Sequence, residues 1–90
     1  RMLHTANNTI IFWNIDAGAL LPEHSHHHEQ TGIITKGEFE ITVDGKTKRL
    51  KAGDFVVIEP NKKHSGKAIT DCEITDIFYP VRHDYINTNQ

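Results

Sequence analysis

The chain has 90 residues, of which 37% are hydrophobic and 24% charged, and its formal net charge is -2. This length predicts a single domain over residues 1–90 that buries roughly two-thirds of the surface of the unfolded chain. The charge argues against nucleic acid as a partner, because duplex binders carry a surplus of lysine and arginine. No apolar run approaches the roughly 20 residues of a membrane-spanning helix. A single cysteine, Cys72, is typical of a reducing cytoplasm, where we expect the protein to act.

The chain is predicted to be a succession of short strands. Residues dense in β-branched and aromatic types, or alternating between apolar and polar, predict strands at 9–15, 31–35, 38–43, 46–50, 55–58 and 72–79. Asp44-Gly45 predicts a two-residue type I′ hairpin turn, and Pro80 ends the last strand. No stretch of ten or more residues has helical periodicity, so the tail after Arg82 is expected to form a turn at most. The predicted fold class is all-β, an antiparallel sandwich or barrel.

Histidine is the compositional anomaly, because four of the seven lie within residues 24–28. Residues two apart on a strand point to the same face, so the imidazoles of His24 and His26 are expected to aim into the same space, a parity that Gln30 continues. His64, predicted in a loop just after a buried strand, supplies a third imidazole. Three nitrogens and one oxygen form a suitable ligand set for one divalent metal such as Zn²⁺, Ni²⁺, Fe²⁺ or Mn²⁺.

These two segments resemble the paired motifs of the cupin family. The first motif, at residues 18–37, reads Gly18, five residues, His24-Ser25-His26, three residues, Gln30, six residues and Gly37. The second, at residues 53–64, reads Gly53, five residues and then Glu59 to His64, with Glu59 and Asn61 where the family has Pro and Gly. The resemblance implies a small double-stranded β-helix, or jelly-roll barrel, with a metal on His24, His26, Gln30 and His64.

Other histidines offer alternatives to this ligand set. His28 shares the parity of Gln30 and is its rival as fourth ligand, whereas His27 has the opposite parity and is expected to face outward. His4 and His83 are expected to be surface residues. The neutral amide of Gln30, where the family has Glu, leaves the site more positive, which favours Lewis-acid chemistry over reactions with O₂.

A narrower resemblance covers most of the chain. The segment HSHHHEQ at residues 24–30 and the pattern of Asp76, Phe78, Pro80 and Arg82 are similar to those of pectin-degradation proteins that linearise unsaturated uronates. This resemblance implies a carboxylated sugar as substrate, with a C4=C5 double bond left by pectin or alginate breakdown. It also implies that Arg82 orients the carboxylate, Asp76 moves a proton, and Phe78 forms an apolar wall.

The residues by themselves leave plainer interpretations open. Asp76 and Phe78 share strand parity, so both face the barrel interior or neither does. Asp76 as a surface or salt-bridge residue, Arg82 as a surface charge and Phe78 as ordinary core are the alternatives. Two other functions compete with ring opening, namely a cupin dioxygenase with a small organic substrate and a non-catalytic sugar-binding module.

We also expect a homodimer. The edge strands of a small barrel expose unpaired backbone groups, and pairing across a two-fold axis covers them. The apolar first predicted strand, with Ile10, Ile11, Phe12 and Trp13, is the expected seam, and the alternative is that it fills the barrel.

Overall fold

The computed structural model describes residues 1–88, so the last two residues of the predicted domain lie outside the described residues. Over this range the chain forms strands with one short helix at the end. The elements are β1 Met2–His4, β2 Thr9–Ile15, β3 Leu20–His24, β4 Glu29–Lys36, β5 Glu38–Val43, β6 Lys46–Lys51, β7 Phe55–Ile58, β8 His64–Ala68, β9 Cys72–Tyr79 and α1 His83–Thr88. Within residues 1–88, no helix is long and apolar enough to cross a membrane.

The strands form two sheets that face each other. One sheet has the order β1-β2-β9-β4-β7 and the other the order β3-β8-β5-β6. The paired strands are antiparallel. A core of eight buried residues joins the sheets; its members are Ile34, Phe39, Ile41, Leu50, Ile58, Ala68, Cys72 and Ile74. The all-β prediction is confirmed, and the architecture is that of a small antiparallel jelly-roll barrel.

All six predicted strands are present, and the elements that were not predicted owe their conformation to their neighbours. The sequence of β3 contains Pro22, and all five of its residues are exposed. The sequence of β8, HSGKA, lacks β-branched residues, yet it is extended because it pairs with β3 on one side and β5 on the other. The expectation of no more than a turn after Arg82 was wrong, because α1 spans six residues.

In residues 1–88, two turns carry a non-glycine residue with a positive φ angle. The φ angles of Asp44 and Gly45 are 49° and 78°, and Val43 pairs with Lys46, as a two-residue type I′ turn requires. Asn61, which stands where the second motif usually has Gly, has a φ of 67°. Asparagine tolerates this region better than other residues with a side chain, so the departure from the motif leaves the turn intact.

The register of the five-stranded sheet decides which side chains enter the barrel. Phe78 lies opposite both Thr9 and Gln30, and Asp76 lies opposite Ile11 and Gly32. These residues share the inner face of the sheet, because side chains directly opposite each other on paired strands point the same way. A Cβ on Gly32 would lie 3.1 Å from Oδ1 of Asp76, so the glycine leaves room for that carboxylate.

Candidate functional site

Three imidazoles converge at one end of the barrel. One possible ligand atom from each of His24, His26 and His64 can be chosen so that all three lie within 4.8 Å of one another. His24 ends β3 and His64 begins β8, where the two residues are direct cross-strand partners with ring centroids 4.2 Å apart. The prediction of His64 in a loop was therefore wrong. His26 follows the end of β3. Its ring is therefore brought to the other two by the turn after the strand, and not by the alternation of side chains along the strand.

In each of these three histidines, Nδ1 is hydrogen-bonded to a backbone carbonyl oxygen. Nδ1 of His24 lies 2.9 Å from the Pro22 oxygen, Nδ1 of His64 lies 2.9 Å from the Lys62 oxygen, and Nδ1 of His26 lies 3.1 Å from the His28 oxygen. Because a carbonyl oxygen only accepts, each Nδ1 carries the proton and each Nε2 is left with a lone pair. Hydrogen bonds of this kind fix the tautomer and orientation of metal-binding histidines.

The Nε2 atoms of these histidines have lone pairs that suit a bound cation. Nε2 of His64 is buried and has no hydrogen-bond partner among the described residues. Nε2 of His26 lies 3.1 Å from Oε1 of Gln30, and both atoms are acceptors in this tautomer. The amide of Gln30 is oriented by its hydrogen bond to the Asp76 carboxylate, in which its NH₂ group must donate. A metal ion among these lone pairs would satisfy all of them.

The protonation state of the rings also suits a metal. Burial lowers the pKa of His26 and of His64 below the ordinary value of histidine, and the positive charge of Arg82 lowers both further. The neutral imidazole is the form that binds a metal.

The remaining histidines lie outside this group. His28 is buried, 4% exposed, and its ring stacks at 3.9 Å on exposed His27. Gln30 contacts the group through Nε2 of His26, at 3.1 Å from its Oε1, whereas the ring centroid of His28 lies 5.7 Å from that of His26. His4, expected at the surface, is half-buried, and its Nδ1 lies 2.8 Å from the hydroxyl of buried Thr9. His83 is exposed at the start of α1.

His24 and His64 of the three-histidine group line a cavity of about 280 Å³ between the sheets. Its wall contains Asp76, Phe78 and Arg82 together with His24, Gln30 and His64. Most of the other lining residues are apolar and come from both sheets. The structure thus brings the predicted acid, aromatic ring and cation to the histidine end of one cavity, which disfavours their interpretation as separate surface and core residues.

Asp76 is held within this cavity by two donors. Nε1–H of Trp13 donates to its Oδ2 at 2.9 Å, and the amide of Gln30 also donates to the carboxylate. Burial raises the pKa of Asp76, and these two hydrogen bonds oppose that effect. The sequence left Trp13 either at a dimer seam or inside the barrel, and its even spacing from Thr9 and Ile11 on β2 agrees with its place in the cavity lining.

Arg82 forms its closest contacts with residues that the sequence did not suggest. Its Nε donates to Oδ1 of Asp84 at 3.1 Å and its Nη2 donates to Oδ2 at 2.8 Å. The guanidinium carbon lies 4.8 Å from the ring centroid of Phe78 and 4.2 Å from that of Tyr85. The hydrogen bonds from Arg82 lower the pKa of Asp84 to about 2, so this carboxylate stays ionised at neutral pH.

Comparisons with known proteins agree with this architecture. A family model described as a cupin domain matches residues 11–78. The chain is 30% identical over 71 residues to the pectin degradation protein KdgF of Dickeya dadantii, which covers 77% of this chain and 64% of that protein. The structure of KdgF from Halomonas sp. has a TM-score of 0.90 and 31% identity, covering 94% of this chain and 80% of the other.

A second solved structure, an RmlC-like cupin from Shewanella frigidimarina, has a TM-score of 0.89 and 32% identity, covering 94% of this chain and 78% of the other. The chain thus spans most of these two solved structures but just under two-thirds of the curated relative from Dickeya dadantii.

Proposed function

Because the chain belongs to the cupin domain family, we propose that it is a metal-dependent, KdgF-like enzyme that opens the ring of C4=C5 unsaturated uronates to give linear keto acids. One observation carries this proposal. A single cavity is lined by two of the three converging imidazoles, those of His24 and His64, together with a half-buried acid and a buried cation. A uronate presents the matching groups, namely oxygens for a metal, a carboxylate for a cation and a hydroxyl proton for an acid–base residue.

The metal would be held by Nε2 of His24, His26 and His64 and by Oε1 of Gln30. When bound, it would supply Lewis-acid polarisation of substrate oxygens. Zn²⁺, Ni²⁺, Fe²⁺ and Mn²⁺ all accept such nitrogen and oxygen donors. Four neutral ligands leave the full charge of the ion in the site, which supports ring opening over oxidation.

Arg82 would bind and orient the substrate carboxylate. Its side chain is only 10% exposed and lies in the cavity wall, where a charge-assisted hydrogen bond is stronger than in water. The same positive charge balances the negative charge that the carboxylate brings into a largely apolar cavity.

Asp76 would move the proton. Opening the ring breaks the C1–O5 bond, removes a proton from the anomeric hydroxyl and adds one at C4, so the reaction is an isomerisation. A carboxyl group whose pKa is raised by burial is closer to the working pH and is therefore a better proton carrier. Phe78 and Trp13 would keep water from the cavity around it.

The direct test follows the ultraviolet absorbance of the conjugated double bond in unsaturated galacturonate and mannuronate. We expect metal-loaded protein to remove this absorbance faster than the spontaneous reaction, and chelator-stripped protein to match the spontaneous rate. Unchanged absorbance with fully metal-loaded protein would contradict the proposal. Oxygen consumption by the iron-loaded form would then support the dioxygenase, and uronate binding without turnover would support the binding module.

We also propose that two copies pair through the outer face of the five-stranded sheet. On this face the register aligns Leu3, Ile10, Ile77, Thr31 and Val57 in one row. A second row contains Phe12, Thr75, Ile33 and Phe55. Leu3, Val57 and Phe55 are 52%, 53% and 69% exposed, and contiguous apolar faces of this kind mark interaction sites. Of the residues expected at the seam, Ile10 and Phe12 lie on this outer face, whereas buried Ile11 and cavity-lining Trp13 face inward.

Phe55→Glu is the test of this interface. A charge at this exposed position is expected to convert the dimer to a monomer on gel filtration at low concentration, without unfolding the barrel. Leu20→Glu is the matched control, because Leu20 is 72% exposed but belongs to the other sheet. A wild-type monomer, or a dimer that Phe55→Glu leaves intact, would rule out pairing through this face.

A further inference from the structure

Arg82 is fixed in place by contacts that ring opening does not itself require. Two parallel hydrogen bonds from Nε and Nη2 engage both carboxylate oxygens of Asp84, at 3.1 and 2.8 Å. This fork-to-carboxylate pairing restrains both the position and the plane of the guanidinium group. The arginine side chain is 10% exposed, so little solvent competes with the pair on that side.

Further contacts restrain the same side chain and its backbone. The guanidinium carbon lies within 5 Å of the ring centroids of both Phe78 and Tyr85, a distance at which a cation and an aromatic ring attract. The backbone N–H of Arg82 donates at 2.8 Å to the hydroxyl of Thr9, which is fully buried. Arg82 is therefore anchored through its main chain, its planar group and its two hydrogen-bonded nitrogens.

Asp84 lies behind the guanidinium and not in the cavity. Arg82 and Tyr85 line the cavity, whereas Asp84 does not, and the side chain of Asp84 is 55% exposed. Its carboxylate therefore does not occupy the space where a substrate carboxylate would bind. The pairing uses one proton of Nε and one of Nη2, and Arg82 also hydrogen-bonds the side chain of Tyr85. Of the three remaining guanidinium protons, two are therefore left for another acceptor.

We propose that Asp84 is a positioning residue, which holds Arg82 from the solvent side so that its remaining donors face a carboxylate bound in the cavity. This inference rests on the proposed function, because it takes the carboxylate to be that of a uronate. The proposal gives helix α1, which contains Asp84, a part in substrate recognition. Asp84 acts through Arg82 and does not touch the reacting atoms.

The test is the kinetics of Asp84→Asn with unsaturated galacturonate. A neutral amide in place of the carboxylate removes the charge and one acceptor from the fork, so Arg82 is no longer held in one orientation. We expect KM to rise by roughly 10-fold, the scale seen when the hydrogen-bond partner of a ligating residue is lost. The value of kcat should change much less, because carboxylate binding is shared by the ground and transition states. Asp84→Glu should recover most of the loss.

Three results would overturn the proposal. A lower kcat with unchanged KM would indicate loss of folded enzyme, and a lower KM would indicate that Asp84 competes with the substrate. A KM equal to that of Asp16→Asn, a control at an exposed aspartate in the loop after β2, would show that Asp84 has no part in recognition.

A binding measurement separates this inference from the proposed reaction. The saturated sugar galacturonate serves as a probe that cannot turn over, and galactose is its uncharged counterpart. With metal-loaded protein, we expect Asp84→Asn to weaken galacturonate binding roughly 10-fold and to leave galactose binding unchanged. Equal galacturonate affinities in wild type and variant would overturn the positioning role. Absence of turnover by the wild type would instead contradict the proposed function alone.

Discussion

Asp76→Asn is expected to lower kcat for the opening of unsaturated galacturonate by about 10²–10⁴-fold, the usual contribution of a general acid–base residue. Asparagine keeps the size of the side chain and an oxygen that accepts from Trp13, but it cannot carry a proton. The measurement is the initial rate of absorbance loss with metal-loaded variant and wild type. The metal content is measured beside the rate, because the Asp76 carboxylate also orients the amide of Gln30.

Two controls make this result specific to Asp76. Asp16→Asn removes an exposed carboxylate in the loop after β2, which does not line the cavity, and should keep the wild-type rate. The melting temperature of Asp76→Asn, measured beside the rate, shows whether the variant still folds. A rate within twofold of the wild type would exclude proton transfer by Asp76.

His64→Ala is expected to lower metal affinity by more than about 100-fold, since even the loss of a hydrogen-bond partner behind a ligand costs about 10- to 100-fold. His64 is 1% exposed and its Nε2 has no other partner among the described residues, so no neighbouring group replaces it. Ring opening by this variant should fall to the spontaneous rate. Metal content after gel filtration, measured beside the absorbance assay, is the check.

Because His64 is buried, unfolding of the barrel is a second explanation for metal loss by His64→Ala. A variant of an exposed proposed ligand separates the two explanations. His24 is exposed at the end of β3, so His24→Ala is expected to lose metal while the circular dichroism of the barrel stays unchanged. His27→Ala is the matched control from the same histidine-rich segment, and it should bind metal as the wild type does. Full metal retention by His24→Ala and His64→Ala together would contradict the proposed centre.

The parts of the fold that sequence predicted are those in which one strand carries its own pattern. The alternation of Phe39, Ile41 and Val43 with polar residues defines β5, and the turn at Asp44-Gly45 fixes its pairing with β6. By contrast, β3 and β8 have no such pattern. Their extended conformation comes from pairing with each other and with β5, which becomes visible only after the sheet is assembled.

The proposed metal ligands could be predicted because the spacing of residues in the two motifs points to them. Motif spacing identified His24, His26, Gln30 and His64, but strand parity gave the wrong reason for His26, which lies beyond the end of β3. The contacts of Asp76 and Arg82 could not be predicted from the sequence, because their partners are far away along the chain. Trp13 is 63 residues from Asp76 along the chain, and Thr9 is 73 residues from Arg82. Such pairs depend on the register of β2 against β9, which no local pattern encodes.

The exposure of β3 has a consequence for the persistence of the site. Regions with few buried contacts open locally at a small fraction of the free energy of global unfolding. All five residues of β3 are exposed at the edge of its sheet, and His24 is its last residue. Fraying of this one strand would carry one imidazole away from the other two while the barrel remains folded. We therefore expect the histidine group to come apart by local opening of this edge strand more often than by unfolding of the whole protein.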